Sequence, residues 1–156
     1  MAWFIRQWNK RLNSMKKDDV EDFSFNGVRK IAKVVDVYDG DSITVIFKFN
    51  GNFQKFKIRM EGYDSPEMRS KDLLEKEYAQ KAKQALSDLI LNQLVRLECG
   101  KSDKYGRILG KVYTLENVCA NDYMKHNKYG YVYDGGTKKK FDQLHDYYGV
   151  KTVQGP

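Results

Sequence analysis

Residues 42–60 read SITVIFKFNGNFQKFKIRM, and this stretch decides the fold. Apolar and polar residues alternate on both sides of Asn50-Gly51, as in strands that bury one face. An Asn-Gly pair between two such runs predicts a tight hairpin, because both residues readily take positive φ. We therefore predict two antiparallel strands, Ser42 to Phe49 and Phe53 to Met60. The buried face of the first carries Ile43, Val45, Phe47 and Phe49.

A third strand precedes this hairpin. Ile31 to Val37 is apolar and β-branched, and the Asp39-Gly40 pair after it is a turn signal. Beyond the hairpin the apolar residues recur at helical spacing, at Leu74, Tyr78, Ala82, Ala85, Leu86 and Leu89. This spacing predicts an amphipathic helix from about Asp72 to Leu91, begun by a capping box between Asp72 and Glu75.

The second half of the chain adds two strands, Leu94 to Cys99 and Ile108 to Leu115. Short helices follow at Ala120 to His126, with Asn127 as a left-handed cap, and at Lys138 to Tyr148. The order predicts a mainly β fold with helices (α+β). It is a five-stranded OB-fold barrel with a long helix between strands three and four and short C-terminal helices. Such barrels commonly bind oligonucleotides, and this expectation rests on the fold alone.

The first 17 residues differ from the rest. They contain no acidic residue, and their basic residues are Arg6, Lys10, Arg11, Lys16 and Lys17. Phe4, Trp8, Leu12 and Met15 recur at helical spacing. This pattern is typical of a helix with a weak membrane-surface contact or an organelle-targeting role; the alternative is an arm that packs a tryptophan on the domain. We divide the chain into a basic arm with an acidic linker at 1–26, an OB-fold domain at 27–150 and a tail at 151–156.

The charge balance favours polyanionic partners. Lys and Arg outnumber Asp and Glu by 28 to 21, so the formal net charge is +7. Nucleic acid, anionic membrane and acidic protein all fit this charge. No apolar run reaches the ~18 residues of a membrane span, and no secretory signal is present. We therefore expect the protein to be intracellular rather than secreted. We also expect it to be a monomer.

The cysteines indicate no metal centre. Cys99 and Cys119 form no metal-ligand spacing with His126 and His145. Their neighbours are apolar, and we interpret both as buried thiols. The alternative is one disulfide, which would imply an oxidising compartment.

Three short segments concentrate charged residues beside turn residues: DGDS at 39–42, RMEGYDSPE at 59–67 and DKYGR at 103–107. Singly, they can be a hairpin turn, a helix start and a solvated loop with Gly106 at positive φ. Together they offer the oxygen ligands that Ca²⁺ prefers. Asp41 and Asp64 supply carboxylates at the ends of neighbouring strands, and Ser65 supplies a carbonyl.

The same segments supply groups for phosphodiester chemistry. Glu67 is a third carboxylate, which can accept a proton from an attacking water or orient it. Arg59 and Arg107 are two forks for phosphate oxygens. A metal ion and two arginines suit a phosphodiester transition state, because negative charge grows on its oxygens. Tyr131 and Tyr133 offer aromatic faces for base stacking.

These three segments, in this order on a strand–helix background, resemble the staphylococcal nuclease (thermonuclease) family from about Lys30 to Tyr133. The resemblance implies an OB-fold nuclease that uses Ca²⁺ to hydrolyse DNA and/or RNA and leaves 3′-phosphate products. The metal ligands it implies are Asp41, Asp64 and the carbonyl of Ser65, with Asp39 as an acid beside the metal. The catalytic residues it implies are Arg59, Glu67 and Arg107, and the substrate contacts are Lys104, Tyr105, Tyr131 and Tyr133.

The chain departs from the family pattern in places. The family usually has Thr at the positions of Ser42 and Ser65, and here Gly135-Gly136 stands where its best-known member has a proline turn. The alternative function is a non-catalytic nucleic-acid-binding or scaffold module of the same fold. In such modules the acidic and arginine positions are typically eroded, whereas this sequence keeps all of them.

Overall fold

The protein is described here by a computed structural model that covers residues 1–150. The strands are β1 Arg29–Asp39, β2 Ser42–Phe49, β3 Asn52–Met60, β4 Tyr63–Asp64, β5 Leu94–Ser102, β6 Ile108–Thr114 and β7 Tyr131–Val132. The α-helices are α1 Ala2–Ser14, α2 Leu73–Ile90, α3 Ala120–His126 and α4 His145–Tyr148. Short 3-10 turns occupy Lys17–Asp19 and Phe141–Leu144.

Five strands close a barrel in the order β1-β2-β3-β6-β5, and α2 connects the third barrel strand to the fourth. This confirms the predicted OB-fold-like α+β architecture. Neighbouring strands are antiparallel except β3 and β6, which pair in parallel from Ile58↔Ile108 to Met60↔Gly110. At Gly110 a Cβ atom would lie 2.8 Å from Ile58 Cγ2 and 2.9 Å from Leu97 Cδ1. The barrel therefore closes over a position that has room only for glycine.

The predicted hairpin is confirmed. Asn50 and Gly51 have φ of 48° and 82°, the positive pair that a two-residue turn requires. Alternate side chains of β2 point into the core, as predicted. The register also places Ser42 opposite Arg59, so two of the charged segments meet at one end of the barrel.

Helix α2 begins as predicted at Asp72, whose Oδ1 accepts hydrogen bonds from the amides of Leu74 at 2.8 Å and Glu75 at 3.3 Å. The second half of the predicted capping box is wrong. Glu75 Oε1 accepts a 3.2 Å hydrogen bond from the amide of Glu67. The side chain of Glu75 thus ties the preceding loop to the helix instead of capping it.

Two predictions near the C-terminus are wrong. Asn127 has φ of −88°, and the left-handed residue is Lys128 at 58°. The side-chain amide of Asn127 donates a hydrogen bond to the Tyr123 carbonyl, and so pairs a carbonyl of the last helical turn. The helix predicted from Lys138 to Tyr148 is shorter, because 138–140 is non-helical and regular structure begins at Phe141.

The N-terminal arm is a helix, but the alternative that it packs a tryptophan on the domain is wrong. No residue of α1 is buried, and Trp3 and Trp8 are 65% and 75% exposed. Contact with the barrel starts at Phe23, whose ring centroid lies 5.6 Å from that of Phe49, and the first buried residue is Phe25. The predicted tail at 151–156 lies outside the described residues.

The two cysteines are free thiols, so the disulfide alternative is wrong. Cys99 is buried and Cys119 is half-buried. Burial raises the pKa of both thiols. No helix within residues 1–150 combines the length and apolar character needed to cross a bilayer.

Candidate functional site

The turn between β1 and β2 carries the first acidic pair. Asp39 and Asp41 are both buried, and the amide of Asp41 donates a 3.2 Å hydrogen bond to Asp39 Oδ1. Gly40 between them faces α2. A Cβ atom on it would lie 2.6 Å from Ala82 Cβ and 2.8 Å from Ser65 Cβ. Glycine is needed here for close packing, which holds the acidic turn against the helix.

Arg59 joins the acidic groups. Its Nη1 donates to the carbonyls of Met60 at 2.7 Å and Tyr63 at 3.0 Å. Its Nη2 lies 2.8 Å from Asp64 Oδ1 and 3.2 Å from Asp41 Oδ2. The residue is buried, so the guanidinium is held in one orientation by two carbonyls and two carboxylates.

Strand β4 is tied to the acidic turn by two bonds. The Tyr63 hydroxyl donates to the Gly40 carbonyl at 2.7 Å, and the Ser65 amide donates to Asp41 Oδ2 at 2.8 Å. Tyr63 is fully buried, and its role was not predicted because an isolated tyrosine in a loop has no distinguishing sequence signal. The buried Ser65 Oγ has no hydrogen-bond partner within residues 1–150.

The acidic side chains are strongly coupled electrostatically. Burial and the neighbouring charge of Asp41 raise the pKa of Asp39 to about 7. Burial also raises the pKa of Asp64, and Asp41 raises it further, although the hydrogen bond from Lys138 opposes this. Crowded buried carboxylates of this kind are stabilised in their ionised form by an added cation.

Arg107 reaches the same cluster from the β5–β6 loop. Asp103 Oδ1 accepts hydrogen bonds from the amides of Tyr105 and Arg107, and Asp103 Oδ2 accepts from Arg107 Nε at 2.7 Å. Gly106 has φ of 78°, as predicted. The folded loop directs Arg107 Nη1 toward Ser42 Oγ at 3.3 Å, which joins the third charged segment to the first two.

The outer face of this loop carries the predicted substrate contacts. Tyr105 is 72% exposed. Lys104 Nζ lies 5.1 Å from its ring centroid, and the guanidinium carbon of Arg107 lies 5.5 Å from it. The result is an accessible aromatic ring flanked by two cations, a combination that suits a nucleotide.

Glu67 lies on the rim of the site, between β4 and α2. Its side chain is 58% exposed, and its Oε1 lies 3.4 Å from Lys138 Nζ. The same ammonium is 2.7 Å from Asp64 Oδ1. Burial lowers the pKa of Lys138, but Asp64 and Glu67 outweigh burial and the pKa is raised, so the group is a cation. Sequence reasoning missed Lys138, because a run of three lysines is typical of a solvated segment.

Tyr131 and Tyr133 also lie beside the acids. Strand β7 pairs with β4, which places Tyr131 opposite Asp64. The Tyr131 ring is buried, and its hydroxyl accepts a 2.9 Å hydrogen bond from the Lys139 amide. The Tyr133 hydroxyl donates to the Gly136 carbonyl at 2.8 Å. Tyr131 therefore forms part of the wall of the site, and Tyr133 lies behind it with its ring centroid 6.2 Å from that of Tyr131.

The structure thus brings the predicted residues together in two groups. The buried group contains Asp39, Asp41, Ser42, Arg59, Asp64 and Ser65. The more exposed group contains Glu67, Lys104, Tyr105, Arg107 and Tyr133, whereas Tyr131 is buried opposite Asp64. Within the described part of the chain, no three acidic, histidine or cysteine side chains lie close enough to hold a metal ion by themselves. A hard cation would take the carboxylates of Asp41 and Asp64 and the Ser65 carbonyl.

Comparison with known proteins finds similarity to nucleases. An endonuclease of Haemophilus influenzae, described as uncharacterized, is 34% identical over 85 residues, which cover 54% of this chain and 43% of that protein. A similarly described endonuclease of Escherichia coli is 28% identical over 102 residues, covering 65% of this chain and 60% of its own. A micrococcal nuclease of Shigella flexneri is 35% identical over 81 residues, covering 52% and 41%.

These alignments span between 41% and 60% of the relatives' own lengths. The family described as staphylococcal nuclease homologue matches residues 57–149, more than half of the chain. That region includes Arg59, Asp64, Glu67 and Arg107. The chain belongs to the staphylococcal nuclease homologue family.

Proposed function

We propose that this protein is a calcium-dependent nuclease that hydrolyses phosphodiester bonds of DNA and/or RNA. The observation that carries the proposal is the convergence of three distant segments on one cluster. Arg59 bridges Asp41 and Asp64, while Arg107 reaches Ser42 beside them. The relatives named endonuclease and micrococcal nuclease support the same activity.

The donor set suits Ca²⁺. Asp41 and Asp64 are buried carboxylates within 3.2 Å and 2.8 Å of one Arg59 nitrogen, so they lie close to each other. With the Ser65 carbonyl they form an all-oxygen set, which hard cations prefer and which water completes. Burial raises the pKa of Asp64, so an added cation would stabilise its ionised form. Ca²⁺ bound there would supply positive charge beside the phosphate.

The arginines stabilise charge on the phosphate. Arg59 is fixed by the carbonyls of Met60 and Tyr63 before any substrate binds, so its orientation costs little during the reaction. Arg107 is aimed by Asp103, and its side chain is 29% exposed, so it can meet a phosphate that enters from solvent. Arg107 can hold phosphate oxygens directly, while Arg59, whose Nη groups already contact two carbonyls and two carboxylates, supplies fixed positive charge beside them.

Glu67 acts on the attacking water. Its carboxylate is open to solvent, while its amide is anchored to Glu75 Oε1. A carboxylate in this position can accept the proton of the water or orient it for in-line attack. The leaving group is the 5′ oxygen, so that the products carry 3′-phosphate and 5′-hydroxyl ends.

The surroundings fit a nucleic-acid strand. The net charge of +7 attracts a polyanion. Tyr105, flanked by Lys104, contacts the terminal nucleotide, and Tyr133, supported by the buried ring of Tyr131, packs on a base and sugar. These contacts tolerate any base, so we expect little sequence preference.

The proposal is tested by cleavage of labelled single-stranded DNA and RNA with Ca²⁺, with Mg²⁺ and with a chelator. We expect cleavage with Ca²⁺ alone and loss with the chelator. Glu67→Gln and Asp41→Ala should each reduce the rate by about 10²-fold or more while the fold stays intact. Glu116→Gln, which removes an exposed acid from the distant β6–α3 turn, is the matched control and should cleave normally.

Two outcomes would contradict the proposal. One is full activity of Glu67→Gln in the presence of the chelator. The other is tight binding of the oligonucleotide with no cleavage under any metal condition. The second result would establish the alternative, a non-catalytic nucleic-acid-binding module of the same fold.

A further inference from the structure

The ammonium of Lys138 occupies the space between two of the site carboxylates. Lys138 Nζ is 2.7 Å from Asp64 Oδ1 and 3.4 Å from Glu67 Oε1. The same oxygen of Asp64 also accepts from Arg59 Nη2 at 2.8 Å. Asp64 Oδ1 therefore has two cationic partners, and a metal ion at this oxygen must displace the one that can move.

Lys138 is the partner that can move. Arg59 is buried and held by two backbone carbonyls, whereas the side chain of Lys138 is 46% exposed. Gly135 and Gly136 precede it with φ of 115° and 84°, so the backbone turns sharply just before the lysine. The segment 135–140 thus folds back over β4 and β7 and delivers Lys138 to Asp64.

Two tyrosine hydroxyls hold this segment. Tyr131 accepts from the Lys139 amide, and Tyr133 donates to the Gly136 carbonyl. These are the tyrosines assigned above to the base and sugar. Substrate contact and the position of Lys138 are therefore linked through the same two side chains.

We propose that Lys138 is a built-in competitor for the divalent cation, and that it swings off Asp64 when the cation binds. This inference rests on the proposed function, because it takes Asp64 as a metal ligand. The Lys138 ammonium neutralises Asp64 and Glu67 when no metal is present. The site therefore binds the cation more weakly than its oxygen ligands alone would, because binding must first displace the ammonium.

The test is Ca²⁺ binding to the full chain by calorimetry, with no nucleic acid present. Lys138→Met should bind Ca²⁺ about tenfold more tightly than the unmodified chain, within the range of ordinary coupling energies. Lys138→Arg, which keeps the competing charge, should not. Lys140→Met removes the same charge from an exposed neighbour and should change the affinity far less.

Equal affinity gains in Lys138→Met and Lys140→Met would overturn the proposal, because general charge would then explain them. Weaker Ca²⁺ binding by Lys138→Met, or no Ca²⁺ binding by any variant, would overturn it as well. Tighter binding by Lys138→Met in a protein that cleaves nothing would sustain this inference and refute the nuclease. The two proposals therefore fail separately.

The N-terminal helix carries a second inference on independent grounds. With 3.6 residues per turn, Phe4, Ile5, Trp8 and Leu12 of α1 share one face, and each is at least 55% exposed. Trp3 lies outside this face, although its ring centroid is 5.2 Å from that of Phe4. Apart from Trp3, the opposite face carries polar and basic residues, among them Arg6, Lys10 and Asn13. The helix is amphipathic, yet no described part of the chain covers its apolar side.

The charge on this arm identifies the partner. Residues 1–17 contain five basic residues and no acidic one. A second copy of such a helix would be repelled, and a nucleic-acid backbone offers no apolar surface for Trp8 and Leu12. An anionic bilayer satisfies both faces, because its acyl chains take the apolar stripe and its head groups take Arg6 and Lys10.

We propose that α1 lies in the surface of anionic membranes and holds the barrel there. Tryptophan fluorescence reports on this helix alone, because both tryptophans of the chain, Trp3 and Trp8, lie in it. Adding phosphatidylcholine vesicles that contain phosphatidylglycerol should shift the tryptophan emission to shorter wavelength and carry the protein into the pellet. Pure phosphatidylcholine should do so far less.

Leu12→Glu places a charge on the apolar face and should abolish both effects, while Asn13→Glu makes the same charge change on the polar face and should keep most of them. Equal losses in the two variants would overturn the proposal. An emission shift that appears without vesicles as protein concentration rises, or only with single-stranded DNA, would also overturn it and assign the face to self-association or nucleic acid.

Discussion

The Tyr63 hydroxyl donates a 2.7 Å hydrogen bond to the carbonyl of Gly40, across 23 positions of the chain. Each partner immediately precedes one of the two proposed metal carboxylates, Asp64 and Asp41. This buried bond therefore helps to set the distance between them, together with the Ser65 amide and Arg59. Burial also raises the pKa of Tyr63 well above its usual range, so the hydroxyl remains a donor at any physiological pH.

Tyr63→Phe should loosen the metal site. The change leaves the Gly40 carbonyl buried without its partner and should reduce the free energy of unfolding by about 1–3 kcal/mol. Ca²⁺ affinity should fall with it, because Asp41 and Asp64 are no longer held together. Urea unfolding and calorimetric titration measure the two effects. Tyr123→Phe removes a half-buried hydroxyl elsewhere and should leave Ca²⁺ affinity unchanged; equal affinities in both variants would contradict this role.

Gly40→Ala should destabilise the fold through overpacking. The new methyl group would lie 2.6 Å from Ala82 Cβ and 2.8 Å from Ser65 Cβ. Overpacking of this kind typically costs about 1–3 kcal/mol. Adding Ala82→Gly removes the closer contact and should restore part of the loss in thermal denaturation. A double variant no more stable than Gly40→Ala would show that the clash is relieved in another way.

Asn121→Ala should be among the more damaging changes outside the site. Its buried amide accepts from Val112 N at 2.9 Å and donates to the carbonyls of Glu61 at 2.9 Å and Gly110 at 3.0 Å. Truncation leaves several buried polar groups unpaired, and we expect a loss of about 3 kcal/mol. Asn127→Ala removes an exposed bond and should cost less than ~1 kcal/mol. Comparable losses in the two variants would refute the argument.

Asp103→Asn should make the stability of the protein less dependent on pH. Burial raises the pKa of Asp103, but hydrogen bonds from Arg107 and Tyr105 outweigh it, so the pKa lies below the usual 3.8. A depressed pKa in the folded state stabilises the fold above the unfolded value, and this stabilisation is lost as pH falls through the folded value. The stability gap between the unmodified chain and the variant should therefore be present at pH 7 and close in strong acid. A gap that persists there would count against the ion pair.

Asp103→Asn should also leave the Arg107 side chain less firmly oriented. The carboxylate accepts from Arg107 Nε at 2.7 Å, and without its charge this contact weakens. We expect the rate of cleavage at neutral pH to fall by about tenfold, because the phosphate fork is held less firmly. Asp142→Asn changes an exposed acid and serves as the control. Unchanged cleavage would mean that Arg107 is positioned without Asp103.

Local patterns in the sequence accounted for the barrel. The alternation from Ser42 to Phe49 and the Asn50-Gly51 turn specified a hairpin whose register alone sets Ser42 opposite Arg59. The parallel pairing of β3 with β6 then brings the loop of Arg107 to the same end. Three charged segments therefore met because they flank neighbouring strands.

Long-range contacts without periodicity were not predictable. Lys138 lies 71 positions beyond Glu67, in a lysine run that gives no sign of its partner. The pairing of β4 with β7 involves two residues on each side, too few for an alternation. The capping box failed because Glu75 had a competing donor in the loop before the helix. In each case the deciding partner is fixed only by the tertiary fold.

The parallel pairing of β3 with β6 affects when the barrel can close during synthesis of the chain. Ile58 and Ile108 are 50 positions apart, with α2 between them, and only three residue pairs join the strands. Such distant pairing is entropically costly, so we expect the barrel to close late in folding. Arg59 and Arg107 remain separated until then. A nascent polypeptide emerging from the ribosome would therefore lack the pairing that brings the Arg107 loop to the end of the barrel where Arg59 lies.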